Sequence, residues 1–253
     1  MTEIHKEVYG QGRALVLIHG WAMHGGIWRE FARQLARRYQ VICLDLPGHG
    51  RSQGLEPFTL EGITEALIAA IPVRKFSLLG WSLGATVAID MANRFPERVE
   101  SLLILAGNPK FVQAADWPGV KPEVLDEFAA QLSSDARLTL IRFLALQVNG
   151  LPDAKRLLQE LKKAMLECDS PSADVLRGGL EILKQSDLRE ILTRLQCPIS
   201  LILGDRDTLI PLASARALRK AKPAIGLHVI ETAGHMPFLS HGGQLLEIVA
   251  AEL

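Results

Sequence analysis

The sequence predicts an α/β fold built around a mainly parallel β-sheet. Continuous apolar runs with the length of doubly buried strands recur at 14–18, 41–45, 75–79, 101–106, 199–203 and 227–231. Stretches with helical periodicity separate most of these runs, which is the spacing of βαβ crossover units. Between about residues 110 and 188 the alternation stops, and successive helical patterns replace it without a convincing strand.

The interruption predicts a helical insertion between two strands of the sheet. Its helical patterns lie near 121–133, 135–148, 153–168 and 172–184. In the first of them Leu125, Phe128 and Leu132 repeat at the spacing of one helix face. We therefore expect residues 1–109 and 189–253 to form one core, with residues 110–188 inserted as a cap.

Composition limits the function classes. The 253 residues can bury a sizeable core, and apolar (48%) and charged (22%) fractions are ordinary for a globular protein. With 28 basic and 28 acidic residues, no net charge attracts nucleic acid or an anionic membrane. The three cysteines show no C-x-x-C spacing, and the sequence has no apolar leader. No apolar run approaches the length of a membrane span, about 20 residues. These observations predict a cytoplasmic protein. We also expect a monomer.

Gly80-Trp81-Ser82-Leu83-Gly84 carries the clearest chemical signal. This G-x-S-x-G pentapeptide follows the apolar run 75–79 and precedes a helical pattern, the setting of a nucleophile elbow. Glycines at its two ends remove Cβ atoms that would meet the neighbouring strand and helix. The alternative is a glycine-flanked surface turn, since the bare pentapeptide also arises by chance.

A serine nucleophile needs a base, and the base needs an orienting carboxylate. The run 199–203 leads to Asp205 and Asp207, and the run 227–231 leads to His235. Carboxyl ends of parallel strands meet at one sheet edge, where open α/β sheets bind ligands. We therefore predict Ser82, Asp207 and His235 as a catalytic triad.

Several other residues compete for these roles. Asp205 lies closer to its strand end than Asp207, and we expect it to cap the turn. The remaining histidines have structural explanations, with His19 holding the loop after the run 14–18. They lack the spacing of a metal site, so we expect neither metal nor cofactor.

Two backbone N–H groups are expected to form an oxyanion hole. One belongs to Leu83, directly after the nucleophile, and the other to Trp21 in the His19-Gly20-Trp21 loop. A core position is the alternative for the Trp21 ring. The glycine-rich surroundings favour a pocket wall instead.

Together these segments resemble the α/β-hydrolase superfamily. His19-Gly20-Trp21, Asp45-Leu-Pro-Gly-His-Gly-Arg-Ser52, the elbow, Gly204-x-x-Asp207 and Gly234-His235 occur in that family's order. The resemblance implies a mostly parallel eight-stranded sheet flanked by helices, with a helical cap after the sixth strand. Aspartate-nucleophile members of the fold, the dehalogenases and epoxide hydrolases, are disfavoured by Ser82.

A narrower resemblance covers the insertion as well. Asp116-Trp-Pro-Gly-Val-Lys-Pro122, Arg142-Phe-Leu-Ala-Leu-Gln147 and Gly178-Gly-Leu-Glu-Ile-Leu183 resemble the pimeloyl-acyl-carrier-protein methyl ester esterases of biotin synthesis. This resemblance implies hydrolysis of a methyl ester on a pimeloyl chain carried by acyl carrier protein. It implies a substrate site formed by Trp21, Ser82, Leu83, Phe143, Leu144, Ala145, Leu146, Gln147 and His235.

Basic residues of the insertion could contact an acidic carrier. Candidates are Arg137, Arg142, Lys155 and Arg156. Charge counts alone instead favour the alternative that these residues form a solvated helix face.

The triad would equally serve a general short-chain carboxylesterase, a lactonase or a C–C bond hydrolase. A non-catalytic receptor is disfavoured because no triad residue is missing.

Overall fold

The computed structural model describes residues 2–253, which form one seven-stranded sheet flanked by helices. The strands are Lys6–Tyr9 (β1), Arg13–Ile18 (β2), Tyr39–Leu44 (β3), Phe76–Trp81 (β4), Val99–Leu105 (β5), Ile199–Gly204 (β6) and Gly226–Ile230 (β7). The helices are Arg29–Leu35 (α1), Leu60–Ala70 (α2), Leu83–Arg94 (α3), Pro122–Ser134 (α4), Ala136–Val148 (α5), Ala154–Met165 (α6), Ala173–Gln185 (α7), Arg189–Arg194 (α8), Leu212–Ala221 (α9), Pro237–Ser240 (α10) and Gly242–Glu252 (α11).

The strands are ordered β1-β3-β2-β4-β5-β6-β7 across the sheet. Only β1 runs antiparallel to its neighbour, and every other pairing is parallel. Every side chain of β4 and β6 is buried, as continuous apolar runs predict for strands covered on both faces. The carboxyl ends of β2, β4, β5, β6 and β7 therefore lie along one edge of the sheet.

The strand count differs from the superfamily expectation. The sheet has seven strands rather than eight within the described residues, and the helical insertion follows the fifth strand rather than the sixth. All six predicted runs are strands, and β1 is the additional one. It lacks an apolar run because it is a four-residue edge strand with half-exposed side chains, and residues 2–5 before it form no strand.

Helices α4 to α7 fill the chain between β5 and α8, close to the four predicted helical stretches. Contacts between α4 and α7 and between α5 and α6 pack these helices on one another. Among residues 2–253, no helix is both long and apolar enough to cross a membrane.

Candidate active site

Ser82 occupies a strained turn between β4 and α3. Its backbone has φ 56° and ψ −119°, outside the regions that most residues adopt, and its N–H donates to the carbonyl of Leu105 over 3.1 Å. The turn closes only because its flanking residues are glycines. A Cβ on Gly80 would lie 2.3 Å from the carbonyl oxygen of Gly84, and one on Gly84 would lie 2.4 Å from that of Ile18.

The structure brings Ser82, His235 and Asp207 into one hydrogen-bonded line. His235 Nε2 lies 2.9 Å from Ser82 Oγ, and His235 Nδ1 lies 2.8 Å from Asp207 Oδ2. The carboxylate only accepts, so Nδ1 carries the proton and Nε2 accepts the serine hydroxyl proton. The side chains of His235 and Asp207 are 1% and 0% exposed, so little solvent screens this pair.

Two backbone N–H groups hold the Asp207 carboxylate in place. Asp207 Oδ1 accepts from the N–H groups of Leu209 (2.8 Å) and Ile210 (3.1 Å). Asp205 is exposed, and its N–H donates to the carbonyl of Ile230. Of the two competing aspartates, Asp207 is the one against His235.

Trp81, which lies inside the elbow, holds the loop that carries His235. Its Nε1–H donates to the carbonyl oxygen of His235 over 2.8 Å. Its ring packs edge-on against Phe238 at 5.0 Å, and Trp28 packs on Phe238 at 4.4 Å. Sequence reasoning did not assign this positioning role, although a buried Trp with a polar edge inside the elbow is a signal for it.

The loop after β2 lies against the nucleophile. A Cβ on Gly20 would lie 3.1 Å from Ser82 Cβ. His19, fully buried, accepts the N–H of Leu46 at Nε2 (2.9 Å) and donates from Nδ1 to the carbonyl of Gly20 (2.8 Å). Burial lowers the pKa of His19 well below its ordinary value, which keeps the ring neutral in this bridging tautomer.

The predicted oxyanion donors lie on this loop and on α3. Leu83 is the first residue of α3, so its N–H belongs to the group without an intrahelical acceptor. The Trp21 N–H shares a peptide unit with the Gly20 carbonyl that His19 binds. The positive end of the α3 dipole adds to the attraction for an anion at this point.

Trp21 also joins the β2 loop to the insertion. Its Nε1–H donates to the carbonyl of Leu176 in α7 over 2.8 Å, and its ring meets Phe143 of α5 edge-on at 4.7 Å. Gly179 permits this approach, because a Cβ there would lie 2.6 Å from Trp21 Cδ1. The ring is 1% exposed and forms a contact between core and insertion.

The remaining substrate residues expected from the resemblance lie on α5. Phe143, Leu144 and Gln147 are buried, and the Phe143 ring meets the Trp21 ring. The Leu146 carbonyl lies 3.4 Å from Thr208 Oγ1, next to Asp207. Ala145 is about 200° around the helix from Phe143, so its place in a shared site stays a prediction.

Gln147 is unusual among these residues. The residue is 3% exposed, and neither side-chain amide atom has a hydrogen-bond partner among residues 2–253. It follows Phe143 by one helical turn and therefore shares its face of α5.

The four predicted carrier-contact residues are all exposed on the insertion. Arg156 is paired with Asp153 (3.1 Å) and Glu160 (2.7 Å). Within the described chain, no ion pair engages Arg137, Arg142 or Lys155, and Arg142 donates to Gln131 over 3.1 Å. The free positive charge therefore lies mainly on α5 and at the start of α6.

This arrangement is suited to acyl transfer. A serine hydroxyl bound to a neutral imidazole that a carboxylate orients can add to a carbonyl carbon. Backbone N–H groups beside it can stabilise the resulting oxyanion.

The sequence model of the alpha/beta hydrolase fold family matches residues 13–242. A relative from Methylococcus capsulatus, named pimeloyl-[acyl-carrier protein] methyl ester esterase, is 41% identical over 96% of this chain and 95% of its own length. A relative of the same name from Nitrosomonas europaea is 40% identical over 97% and 98%.

Solved structures share the fold at lower identity. An esterase from Exiguobacterium antarcticum superimposes with a TM-score of 0.89 at 21% identity, covering 99% of this chain and 95% of that one. The enol-lactonase from Burkholderia xenovorans superimposes with a TM-score of 0.84 at 20% identity, covering 99% and 96%. The chain thus belongs to the alpha/beta hydrolase fold family and, within it, groups by sequence with proteins named pimeloyl-[acyl-carrier protein] methyl ester esterase.

Proposed function

We propose that this protein is a carboxylic ester hydrolase that works through an acyl-enzyme on Ser82. The observation that carries the proposal is the continuous hydrogen-bonded line from Ser82 through His235 to Asp207. It joins a nucleophile, a base and an orienting carboxylate at hydrogen-bonding distance in a buried site.

The mechanism follows from the atoms in that line. Ser82 Oγ attacks the ester carbonyl carbon while His235 Nε2 takes the hydroxyl proton. The N–H groups of Trp21 and Leu83 donate to the oxyanion, and Asp207 stabilises the imidazolium. Collapse of the tetrahedral intermediate breaks the ester C–O bond, and His235 Nε2–H gives its proton to the departing alkoxide. Water then attacks the acyl carbon by the same route and releases the acid and Ser82.

The substrate we propose is the methyl ester of a pimeloyl chain bound to acyl carrier protein, an intermediate in biotin precursor synthesis. The support is the shared name of relatives that align over nearly the whole chain at about 40% identity. Phe143 and Leu144 of α5 offer apolar surface to the methylene chain. The Gln147 amide offers hydrogen bonds to a polar group of that chain.

The segment 110–188 acts in this proposal as a cap that presents the carrier surface. Arg137, Arg142 and Lys155 would attract an acidic carrier, and Arg156 would join them by exchanging its pairs with Asp153 and Glu160 for the carrier. A groove of about 900 Å³ opens elsewhere, between residues 54–58 and the start of α7, and Glu56 and Asp174 line it. Asp174 is paired with Arg177, so Glu56 carries the unpaired charge of the lining, and no lining residue is a cation that would attract an acidic carrier. A cytoplasmic location and a monomeric state stay predictions.

Complementation tests the proposal. Expression in a bacterial strain that lacks its biotin-pathway methyl esterase should restore growth without biotin, and Ser82→Ala should not. Purified protein should hydrolyse short-chain p-nitrophenyl esters and react with a fluorophosphonate at Ser82. If the purified protein hydrolyses p-nitrophenyl esters but does not complement the strain, the assignment as an ester hydrolase stands and the pimeloyl substrate is rejected. Equal turnover by the Ser82→Ala variant would reject the mechanism.

A further inference from the structure

The strand end that separates Ser82 from Asp207 carries an asparagine, Asn108. In the sheet, β5 lies between β4, which leads into Ser82, and β6, which leads to Asp207; Asn108 follows β5. The segment packs on the elbow, because a Cβ on Gly107 would lie 2.4 Å from the Cβ of Ala85 and 3.5 Å from the carbonyl oxygen of Ser82. Asn108 therefore lies at the same sheet edge as the nucleophile.

The Asn108 amide is buried without an internal hydrogen bond in the described chain. The residue is 3% exposed, and neither Nδ2 nor Oδ1 has a hydrogen-bond partner among residues 2–253. An unpaired buried polar group costs about 1–3 kcal/mol, and folded proteins contain few of them. Both a donor and an acceptor are unpaired, so a ligand that satisfies them must carry both.

The acyl-enzyme mechanism supplies such a ligand on this side of Ser82. His235 returns the serine proton to the departing alcohol, so the alcohol leaves on the His235 side. In the sheet, β6 and β7 lead to Asp207 and His235, and they lie on the same side of β4 as β5. The His19-Gly20-Trp21 loop, which carries a predicted oxyanion donor, follows β2 on the opposite side of β4. An alcohol and a water molecule each offer an O–H donor and an acceptor oxygen.

We propose that Asn108 is a further catalytic residue, which binds the leaving alcohol and then the hydrolytic water. During acylation, Nδ2–H donates to the ester alkoxy oxygen as the C–O bond breaks and that oxygen takes the proton from His235 Nε2. The free alcohol then donates its O–H to Oδ1.

During deacylation, water occupies the same position. One of its hydrogens is bound by Asn108 Oδ1, and the other passes to His235 Nε2 as the water oxygen attacks the acyl carbon. The bond from that carbon to Ser82 Oγ then breaks, and Oγ recovers the proton. The inference rests on the proposed function, since it requires an acyl-enzyme.

Asn108→Leu tests the role, because leucine matches the size of the side chain and removes its polar atoms. With p-nitrophenyl acetate, deacylation should slow by about tenfold or more, because Oδ1 no longer accepts a hydrogen bond from the attacking water and orients it. A nitrophenol burst should then precede a slower steady state. Labelling by a fluorophosphonate, which needs no water, should change less than about threefold. Tm should stay equal or rise, because the amide has no partner to lose.

Asn108→Ser provides a second variant in case leucine disturbs the fold. Its hydroxyl keeps a donor and an acceptor, so it should retain more of the deacylation rate than leucine. A deacylation rate of Asn108→Leu within twofold of wild type would overturn the inference. So would a lowered Tm accompanied by equal reductions in the rates of labelling and deacylation, because these would indicate a purely structural role. Wild-type protein without Ser82-dependent turnover would instead reject the proposed function.

Discussion

His19 Nδ1 donates a hydrogen bond to the carbonyl oxygen of Gly20 over 2.8 Å. In a trans peptide the C=O and N–H groups point in opposite directions. The Met23 N–H donates to the same Gly20 carbonyl over a longer distance, 3.3 Å. Holding the Gly20 carbonyl sets the direction of the Trp21 N–H, the predicted oxyanion donor. The Leu46 N–H, bound at His19 Nε2, fixes the tautomer that makes this possible. His19 is thus a positioning residue rather than a base.

Replacing His19 should lower kcat more than it changes KM. An oxyanion donor acts mainly in the transition state, and losing one costs about a hundredfold or more in kcat. For His19→Phe we expect a loss of at least about tenfold in kcat, with KM within about threefold. His19→Gln, which retains a donor and an acceptor, should recover part of the loss. A raised KM with unchanged kcat for p-nitrophenyl esters would contradict this role.

Gly179→Ala should reduce kcat/KM although alanine favours helices. In an α-helix this change stabilises by about 1 kcal/mol. Here the new Cβ would lie 2.6 Å from Trp21 Cδ1, and the Trp21 ring is buried and hydrogen-bonded to Leu176. We expect the ring to shift and kcat/KM to fall by about tenfold.

Gly243→Ala is the matched control. Gly243 lies in α11, and a Cβ there meets no atom within 4 Å. Its activity should stay within about twofold of wild type, with Tm equal or higher. Equal activity of the two alanine variants would show that the contact between Trp21 and α7 does not position the site.

Acid should destabilise the protein through His49. Burial lowers the pKa of His49 to about 4, and its Nδ1–H donates to the carbonyl of Pro47 over 3.0 Å. Below its ordinary pKa near 6.5 the unfolded chain binds the proton and the folded chain does not, so stability falls as pH drops from about 6.5 to about 4. This pKa shift corresponds to a loss of up to about 3 kcal/mol in the free energy of unfolding.

The free energy of unfolding in denaturant between pH 4 and pH 8 measures this contribution. His49→Gln keeps a hydrogen-bond donor but does not titrate, so its stability should fall less steeply between pH 6.5 and pH 4. Parallel curves for wild type and variant would contradict a proton-free buried His49.

The sheet edge could be predicted from sequence because strand ends are local signals. The runs before Ser82, Asp207 and His235 are continuous and apolar, and parallel topology brings their ends together without further information. β1 carried no such signal, because an edge strand needs no apolar run. The eight-strand expectation came from the superfamily resemblance rather than from apolar runs.

The supporting contacts could not be predicted, because each joins residues far apart in sequence. Trp81 binds the His235 carbonyl 154 residues away, and Trp21 binds Leu176 155 residues away. Sequence identifies the hydrogen-bonding capacity of each indole but not its acceptor. The unpaired amide of Asn108 is similarly visible only once the packing around it is known.

The most direct test of the central claim is mass spectrometry of acyl carrier protein loaded with the methyl ester of a pimeloyl chain. Wild-type protein should remove the methyl group as methanol and leave the thioester to the carrier intact, and Ser82→Ala should leave the substrate unchanged. Demethylation by Ser82→Ala at the wild-type rate, or cleavage of the thioester in place of the methyl ester, would contradict the account.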